Sequence, residues 1–368
     1  MPDVKLVNIS KRYGKGKIIA ADKVNLEIKD GEYFTILGPS GCGKSTLLKI
    51  IAGIVKPDEG EVYVGGKLIN DVPIEERRIA MVFQNILLFP HMNVEENIGY
   101  APRVKGIERE RRVKIVEEIV SMLKLTLRST AFPDELSRGA QQKVSLARAI
   151  ASETNLFLLD EPLSALDSRV RLELRYELRR LVKELGVTAI HVTHDQEEAM
   201  SISDRIAIMK HGKIIEVGSP VELYLGPQTI FTAHFLGKMN FMEGMVIESS
   251  GGGCVVEVSG GVRIRTKVRG RLVRERVVLA IRPEFIKLSQ TMNENEKNVV
   301  EGKIIEKFYT GSYIYYKVKL ENGIEVFTLT EAEKMYKDGD KIYASFPPEY
   351  VILFKYPEEG LEKELSLE

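Results

Sequence analysis

One stretch restricts the possible folds of this chain more than any other: Gly38-Pro39-Ser40-Gly41-Cys42-Gly43-Lys44-Ser45-Thr46, which fits the phosphate-loop spacing G-x-x-x-x-G-K-[ST]. It follows a strand-like run, Glu32 to Leu37, and opens a helix-like run from Ser45 to Ala52 that stops at Gly53. Strand, loop, helix is the order in which the spacing has a physical use. Glycines let successive backbone N–H groups turn inward around phosphate oxygens, and a helix N-terminus adds partial positive charge at the same point. The stretch therefore reads as a phosphate cradle, with Lys44 reaching β- and γ-phosphates and the Ser45 hydroxyl offering a hard oxygen to Mg²⁺. Cys42 lies among those amides and beside Lys44, so its thiol is expected to be exposed in the empty loop and to favour the thiolate.

A chain of 368 residues has room for two or three domains with separate cores. Lys plus Arg and Asp plus Glu both number 53, which leaves no global field to attract nucleic acid or an anionic membrane. Such a partner must be met by a local patch. No stretch of about 18 apolar residues is present, and Asp3 and Lys5 interrupt any signal-like N-terminus, so the chain is expected to stay outside the membrane. Its two cysteines, Cys42 and Cys254, make no disulfide framework, which points to a reducing, cytoplasmic location.

Ahead of the cradle, Lys5 to Ile9 and Val24 to Ile28 alternate as strands, with Tyr13 between them placed either to stack on a base or to pack at a strand edge. After it, Gly60 to Ile69 reads as a hairpin turning at Gly65-Gly66, and Arg78 to Phe83 as a buried strand ending at Gln84. A polar side chain at the carboxyl end of a strand sits where open α/β sheets bind ligands, so Gln84 is a candidate contact to Mg²⁺ or water. From about residue 85 to 155 the period turns helical, with Val113, Val116, Val120 and Leu123 on one face. Leu156 to Leu159 then forms an apolar strand that ends in Asp160-Glu161. An acidic pair there needs a cation to offset its burial: Asp160 reads as the metal-side carboxylate and Glu161 as the base that orients or deprotonates water. A further strand, Val187 to Val192, brings Thr193-His194-Asp195 to the same end of the sheet, which makes His194 a γ-phosphate contact.

Taken in order, these segments resemble the nucleotide-binding subunit of ABC transporters, over Val4 to about Leu236. The resemblance places Tyr13 at the adenine-stacking aromatic, Gly38 to Ser45 at the Walker A loop and Gln84 at the Q-loop. Leu136-Ser137-Arg138-Gly139-Ala140 stands at the signature, Leu156 to Asp160 at Walker B, Glu161 at the catalytic glutamate, Ser164 to Asp167 at the D-loop and His194 at the switch histidine. The signature departs from the usual L-S-G-G-Q at Arg138 and Ala140 but keeps Ser137 and Gly139, the γ-phosphate contacts. What this implies is an ATP- and Mg²⁺-dependent ATPase with a RecA-like α/β core, an antiparallel β lobe and a helical lobe. Two such subunits, two copies or a copy and a sister, would sandwich ATP head to tail and dock on a membrane permease at the inner face of the membrane. An external substrate-binding protein would be met only indirectly, and nucleic acid is not an expected partner.

Beyond Gly237 the pattern changes to short strands with Gly-rich turns, so domains of 1–236 and 237–368 are expected. Glu243 to Glu248 recurs as Glu301 to Glu306, and Pro283-Glu284-Phe285-Ile286 as Pro348-Glu349-Tyr350-Val351, which reads as two β-barrel-like modules or one duplicated barrel. The region resembles the all-β, OB-like regulatory domain of importer ATPases. Arg263, Arg265, Lys267 and Arg269 alternate with Val262, Ile264, Thr266 and Val268 as a half-buried strand with a solvated basic face. The acidic tail from Pro357 is expected to fray. Three functions stand open: an importer ATPase, a soluble ABC-type ATPase acting on ribosomes or DNA, and a weakly hydrolysing regulatory module.

Overall fold

The computed structural model describes residues 2–293, 296–332 and 335–366. It divides into two compact units, Met1–Pro220 and Val221–Glu368. In chain order the first contains β1 (Val4–Tyr13), β2 (Ile18–Ile28), β3 (Tyr33–Leu37), α1 (Lys44–Ala52), β4 (Glu59–Val64), β5 (Lys67–Leu68) and β6 (Ile79–Val82). There follow α2 (Val94–Val104), α3 (Arg109–Met122), α4 (Arg138–Ala151), β7 (Leu156–Asp160), α5 (Ser168–Leu185), β8 (Thr188–Thr193), α6 (Gln196–Ile202), β9 (Arg205–Lys210) and β10 (Lys213–Gly218).

Six strands form one sheet in the order β10-β9-β3-β8-β7-β6, parallel except at β10. Buried on both faces, β3 and β7 are apolar almost throughout, as parallel strands covered on two sides tend to be, while β8 also buries Thr188, His191 and Thr193. One face packs with α1 and the antiparallel sheet β2-β1-β4-β5 through Leu47, Ile50, Leu158 and Ile190; the other packs on α4 and α5 through Leu146, Phe157 and Leu178. Each buried Leu or Phe contributes about 1.5–3 kcal/mol, enough to hold the carboxyl ends of three strands in one plane. β6 is an edge strand with alternating burial rather than a fully buried one, because no strand lies beyond it. The helical lobe has its own core, Ile98, Val120, Leu123 and Val144; Val116 joins it, but Val113 is exposed, the expected face being one turn too long.

The second unit holds α7 (Pro220–Leu225), α8 (Ile230–Phe235), β11 (Asn240–Ser250), β12 (Gly253–Val258), β13 (Arg263–Thr266), β14 (Arg276–Ile281), β15 (Lys287–Ser289), β16 (Val299–Tyr309), β17 (Tyr313–Leu320), β18 (Glu325–Glu331), β19 (Lys341–Ser345), β20 (Ile352–Lys355) and α9 (Leu361–Leu365). It begins upstream of the composition shift because Ile230 and Ala233 of α8 pack on Val278, Ala280 and Phe354. Leu361 and Leu365 join that cluster, so the acidic tail is docked by α9 as far as residue 366.

The internal repeat is visible in the strands. β11 slips register against β12 between Val246 and Glu248, and β16 does the same against β17 between Ile304 and Glu306, the matching positions of the two copies. A Cβ on Gly244 would lie 2.6 Å from Val256, and one on Gly302 would lie 2.9 Å from the Lys319 carbonyl, so both copies require glycine there. The sheets run β13-β12-β11-β14-β20 and β15-β19-β16-β17-β18. Each half therefore gives its last strand to the other: β15 pairs with β19, and β20 pairs with β14. Phe285 and Tyr350, ahead of the exchanged strands, stack with ring centres 4.1 Å apart. The two copies are therefore interlocked as two five-stranded sheets around one core, with Val246 and Ile281 in the same cluster as Ile304 and Ile342.

Candidate nucleotide site

The cradle closes because its glycines are sterically forced. Gly41 and Gly43 have φ of 80° and 110°, and a Cβ on Gly43 would sit 1.8 Å from the Ala20 carbonyl oxygen of β2. A Cβ on Gly38 would lie 2.2 Å from the Met209 carbonyl. α1 has no side-chain cap at Gly43, so its first N–H groups are unclaimed by a capping side chain. Lys44, 4% exposed, turns its Nζ onto the Gly38 and Pro39 carbonyls, 2.8 Å from each. Those two oxygens hold the ammonium within the loop.

Ser45 donates to Asp160 Oδ1 at 2.7 Å. Asp160 is buried and makes no ion pair among the described residues. Removing an unpaired carboxylate from water costs several kcal/mol, whereas one hydrogen bond to it returns about 1.5–3. The deficit suits a divalent cation, and a hydroxyl plus a carboxylate is an oxygen donor set that fits Mg²⁺. One residue on, Glu161 accepts from Gln84 Nε2 at 3.1 Å and stands 3.2 Å from His194 Nδ1. Its backbone is held by a bond to Val192 of β8 and has φ of 45°, an uncommon conformation that turns the carboxylate out of the strand. Thus β6, β7 and β8 deliver Gln84, Asp160, Glu161 and His194 to one end of the sheet, beside the phosphate loop that leaves β3.

Other expected residues stand apart. Ser137 caps α4 by accepting from Ala140 N–H, and Asp167 caps α5 by accepting from Val170 N–H; both are exposed. Gly139 lies against Val170, where a Cβ would come within 2.8 Å of its methyl. Among the described residues no hydrogen bond or ion pair joins Ser137, Gly139 or Asp167 to the phosphate loop. Tyr13 ends β1, 39% exposed under the Lys11 ammonium, and β1 pairs with the strand whose Ala20 touches Gly43. Ser40 is exposed, and Pro39 and Thr46 are partly so.

Cys42 contradicts its expectation. It is 6% exposed, and burial pushes the thiol up against the opposing pull of Lys44, because the loop folds its side chain inward beneath Gly38. Two groups assigned no role from the sequence are also built into this end of the sheet. His191 is fully buried, hydrogen-bonded to Tyr33 and 3.4 Å from Glu198, which itself accepts from Thr193 at 2.6 Å. Asp195 is flanked by Arg171 and Arg175 of α5, whose four-residue spacing on a helix was the only available signal.

A largely parallel sheet, a phosphate loop and a buried carboxylate followed by a partly buried one define a P-loop nucleotide hydrolase. Residues 21–164 match the ABC transporter family model and residues 279–354 the TOBE domain model. The chain is 40% identical over 324 residues to the spermidine/putrescine import ATP-binding protein PotA of Thermotoga maritima, covering 87% of this chain and 88% of the relative. It is 35% identical over 356 residues to the Fe(3+) ions import ATP-binding protein FbpC of Fusobacterium nucleatum, covering 96% and 93%. Among solved structures it is similar to the ATP-binding cassette MJ0796 in a dimeric post-hydrolysis state with ADP and Pi (38% identity, TM-score 0.53, 59% of this chain and 98% of that one). Another is cbiO1 of Clostridium perfringens, at 30% identity and TM-score 0.57, over 60% and 89%. The chain belongs to the ATP-binding subunits of ABC importers, those with a C-terminal OB-like domain. It is an ATPase that powers import.

Proposed function

We propose that two ATPase subunits, two copies of this chain or one with a sister subunit, close head to tail over ATP and reopen after hydrolysis. The observation that carries this is the division of the site: Lys44, Ser45, Gln84, Asp160, Glu161 and His194 converge, while Ser137 and Gly139 are presented elsewhere, on the N-terminus of a 14-residue helix. A helix start suits a γ-phosphate brought by another subunit. Each site then takes its Ser137 and Gly139 from the partner, and Tyr13 stacks on adenine. Mg²⁺ would be held by Ser45, Asp160 and Gln84 and would supply charge neutralisation on the phosphates. Glu161 orients the attacking water and takes its proton, and His194 fixes Glu161 and contacts γ-phosphate. Support for the dimer comes from the similar cassette described as dimeric with ADP and Pi.

The permease is proposed to dock in a cleft of about 360 Å³ whose lining flanks Gln84 in sequence and includes Phe83, Leu87, Phe89, Tyr100 and Arg148. Leu87 is 58% exposed there, and Arg148 lies 4.4 Å over the Phe89 ring with its pKa lowered by burial. An apolar floor with one cationic wall suits a short helix end from a membrane subunit. Among the described residues no helix is long and apolar enough to cross a membrane, so the chain would sit on the inner face through that contact. Cargo would meet the permease and an external binding protein, not this chain. Co-expression with the permease should bring the chain to the membrane fraction and stimulate its ATPase, and Leu87→Glu should release it. A chain that distributes identically with and without permease overturns the docking.

A further inference from the structure

We infer that Arg171 is a positioning residue that ties the loop carrying Asp167 to the turn carrying His194, so that a second subunit pressing on residues 164–167 sets the catalytic end of the site. The inference rests on the roles proposed above for Glu161 and His194 and on the face proposed to meet a second subunit, where Val170, three residues past the exposed Asp167, lies against Gly139. Arg171 donates from Nη2 to the Leu166 carbonyl at 2.8 Å, and its Nη1 stands 3.5 Å from Asp195 Oδ2. Arg175, one turn further along α5, stands 3.6 Å from the same oxygen and 3.8 Å from Glu197. The other oxygen of Asp195 accepts from Glu198 N–H at 3.0 Å and so caps α6. His194 is the residue before that cap, and its Nδ1 is 3.2 Å from Glu161. On the other side, Ser164 donates to the Glu161 carbonyl through its hydroxyl at 3.0 Å. The loop therefore grips Glu161 from two directions: directly through Ser164, and around through Leu166, Arg171, Asp195 and His194.

The clamp is slack. Charge-assisted bonds close to about 2.7–2.9 Å, so separations of 3.5 and 3.6 Å leave room for a shift of less than about 1 Å to tighten or break it. Nε of both arginines is buried without a hydrogen-bond partner. For stability alone, apolar side chains serve as well as an ion pair with unpaired donors. A chain of polar contacts with two arrangements is instead what coupling between sites requires.

Steady-state ATP hydrolysis by the full chain tests this with Arg171→Gln, Arg171→Lys, Arg169→Gln and Glu161→Gln. Among the described residues Arg169 pairs with Glu173 in solvent, and it serves as the surface control. Arg171→Gln should lower kcat by about tenfold with KM little changed, the scale of a coupling between sites, and reduce the Hill coefficient for ATP to that of independent sites. Arg171→Lys should recover part of kcat, with melting temperatures of both variants near that of the parent. If Arg171→Gln keeps kcat and cooperativity while Glu161→Gln is inactive, the coupling is wrong and the site stands. If Glu161→Gln keeps its turnover, the site itself is misread. A kcat that falls only in step with the folded fraction, or Lys no better than Gln, also overturns the coupling.

Discussion

Replacing Glu161 by Gln separates chemistry from architecture at the one residue where both meet. The amide is isosteric with the carboxylate, and the left-handed φ of 45° costs Gln no more than Glu. What changes is that Oε2, which takes Gln84 Nε2 at 3.1 Å and faces His194 Nδ1 at 3.2 Å, can be replaced by a donor. If the amide flips its oxygen into that position, the contacts survive; if not, about 0.5–1.5 kcal/mol is lost. Against a folding stability of about 5–15 kcal/mol, the variant stays folded either way. Losing a general base costs about 10²–10⁴ in rate, or about 2.7–5.5 kcal/mol of barrier, which no plausible unfolding here mimics. Phosphate release at saturating MgATP should fall by that factor, nucleotide affinity should stay within about threefold, and size-exclusion chromatography in ATP should show an accumulated dimer. Turnover within about threefold of the parent, with Gln at residue 161 verified, refutes the base assignment.

Cys42, buried and with its thiol pushed up by that burial, should react with iodoacetamide slowly at neutral pH even without nucleotide, and faster only once the loop is unfolded in urea. Burial lowers the pKa of His191 from its usual 6.5, Glu198 opposing, so the unfolded chain takes up that proton first as pH falls. Stability from this group is therefore full above about pH 6.5 and is lost as pH drops toward the folded value; His191→Gln should flatten the urea midpoint over about pH 7 to 5. Expressed alone, residues 1–220 should fold and bind MgATP. A chain cut after Lys238 keeps α8 but strips Ile230 and Ala233 of Val278, Ala280 and Phe354, and should aggregate more.

The phosphate loop was legible because its constraints are local. Gly43 is required by its own φ, Lys44 and Ser45 follow in fixed register on α1, and the preceding strand reads from five apolar-rich residues. The internal repeat was legible for the same reason, since a glycine and a register slip recur in each copy. The meeting of Gln84 with Glu161, 77 residues apart, is another matter: strand endings made both residues candidates, but only the sheet order β8-β7-β6 sets them 3.1 Å apart. Cys42 was misread because its burial depends on the loop folding it beneath Gly38 into a core shared with Ala21 and Met209 of two other strands. The exchange of β15 and β20 and the Arg171–Asp195 contact were likewise invisible, for periodicity tells which face of an element is buried but not which neighbour buries it. That choice is made by packing across the whole core, where elements distant in sequence compete for the same apolar surface, and in this protein it decides which side chains converge at the end of the sheet beside the phosphate loop.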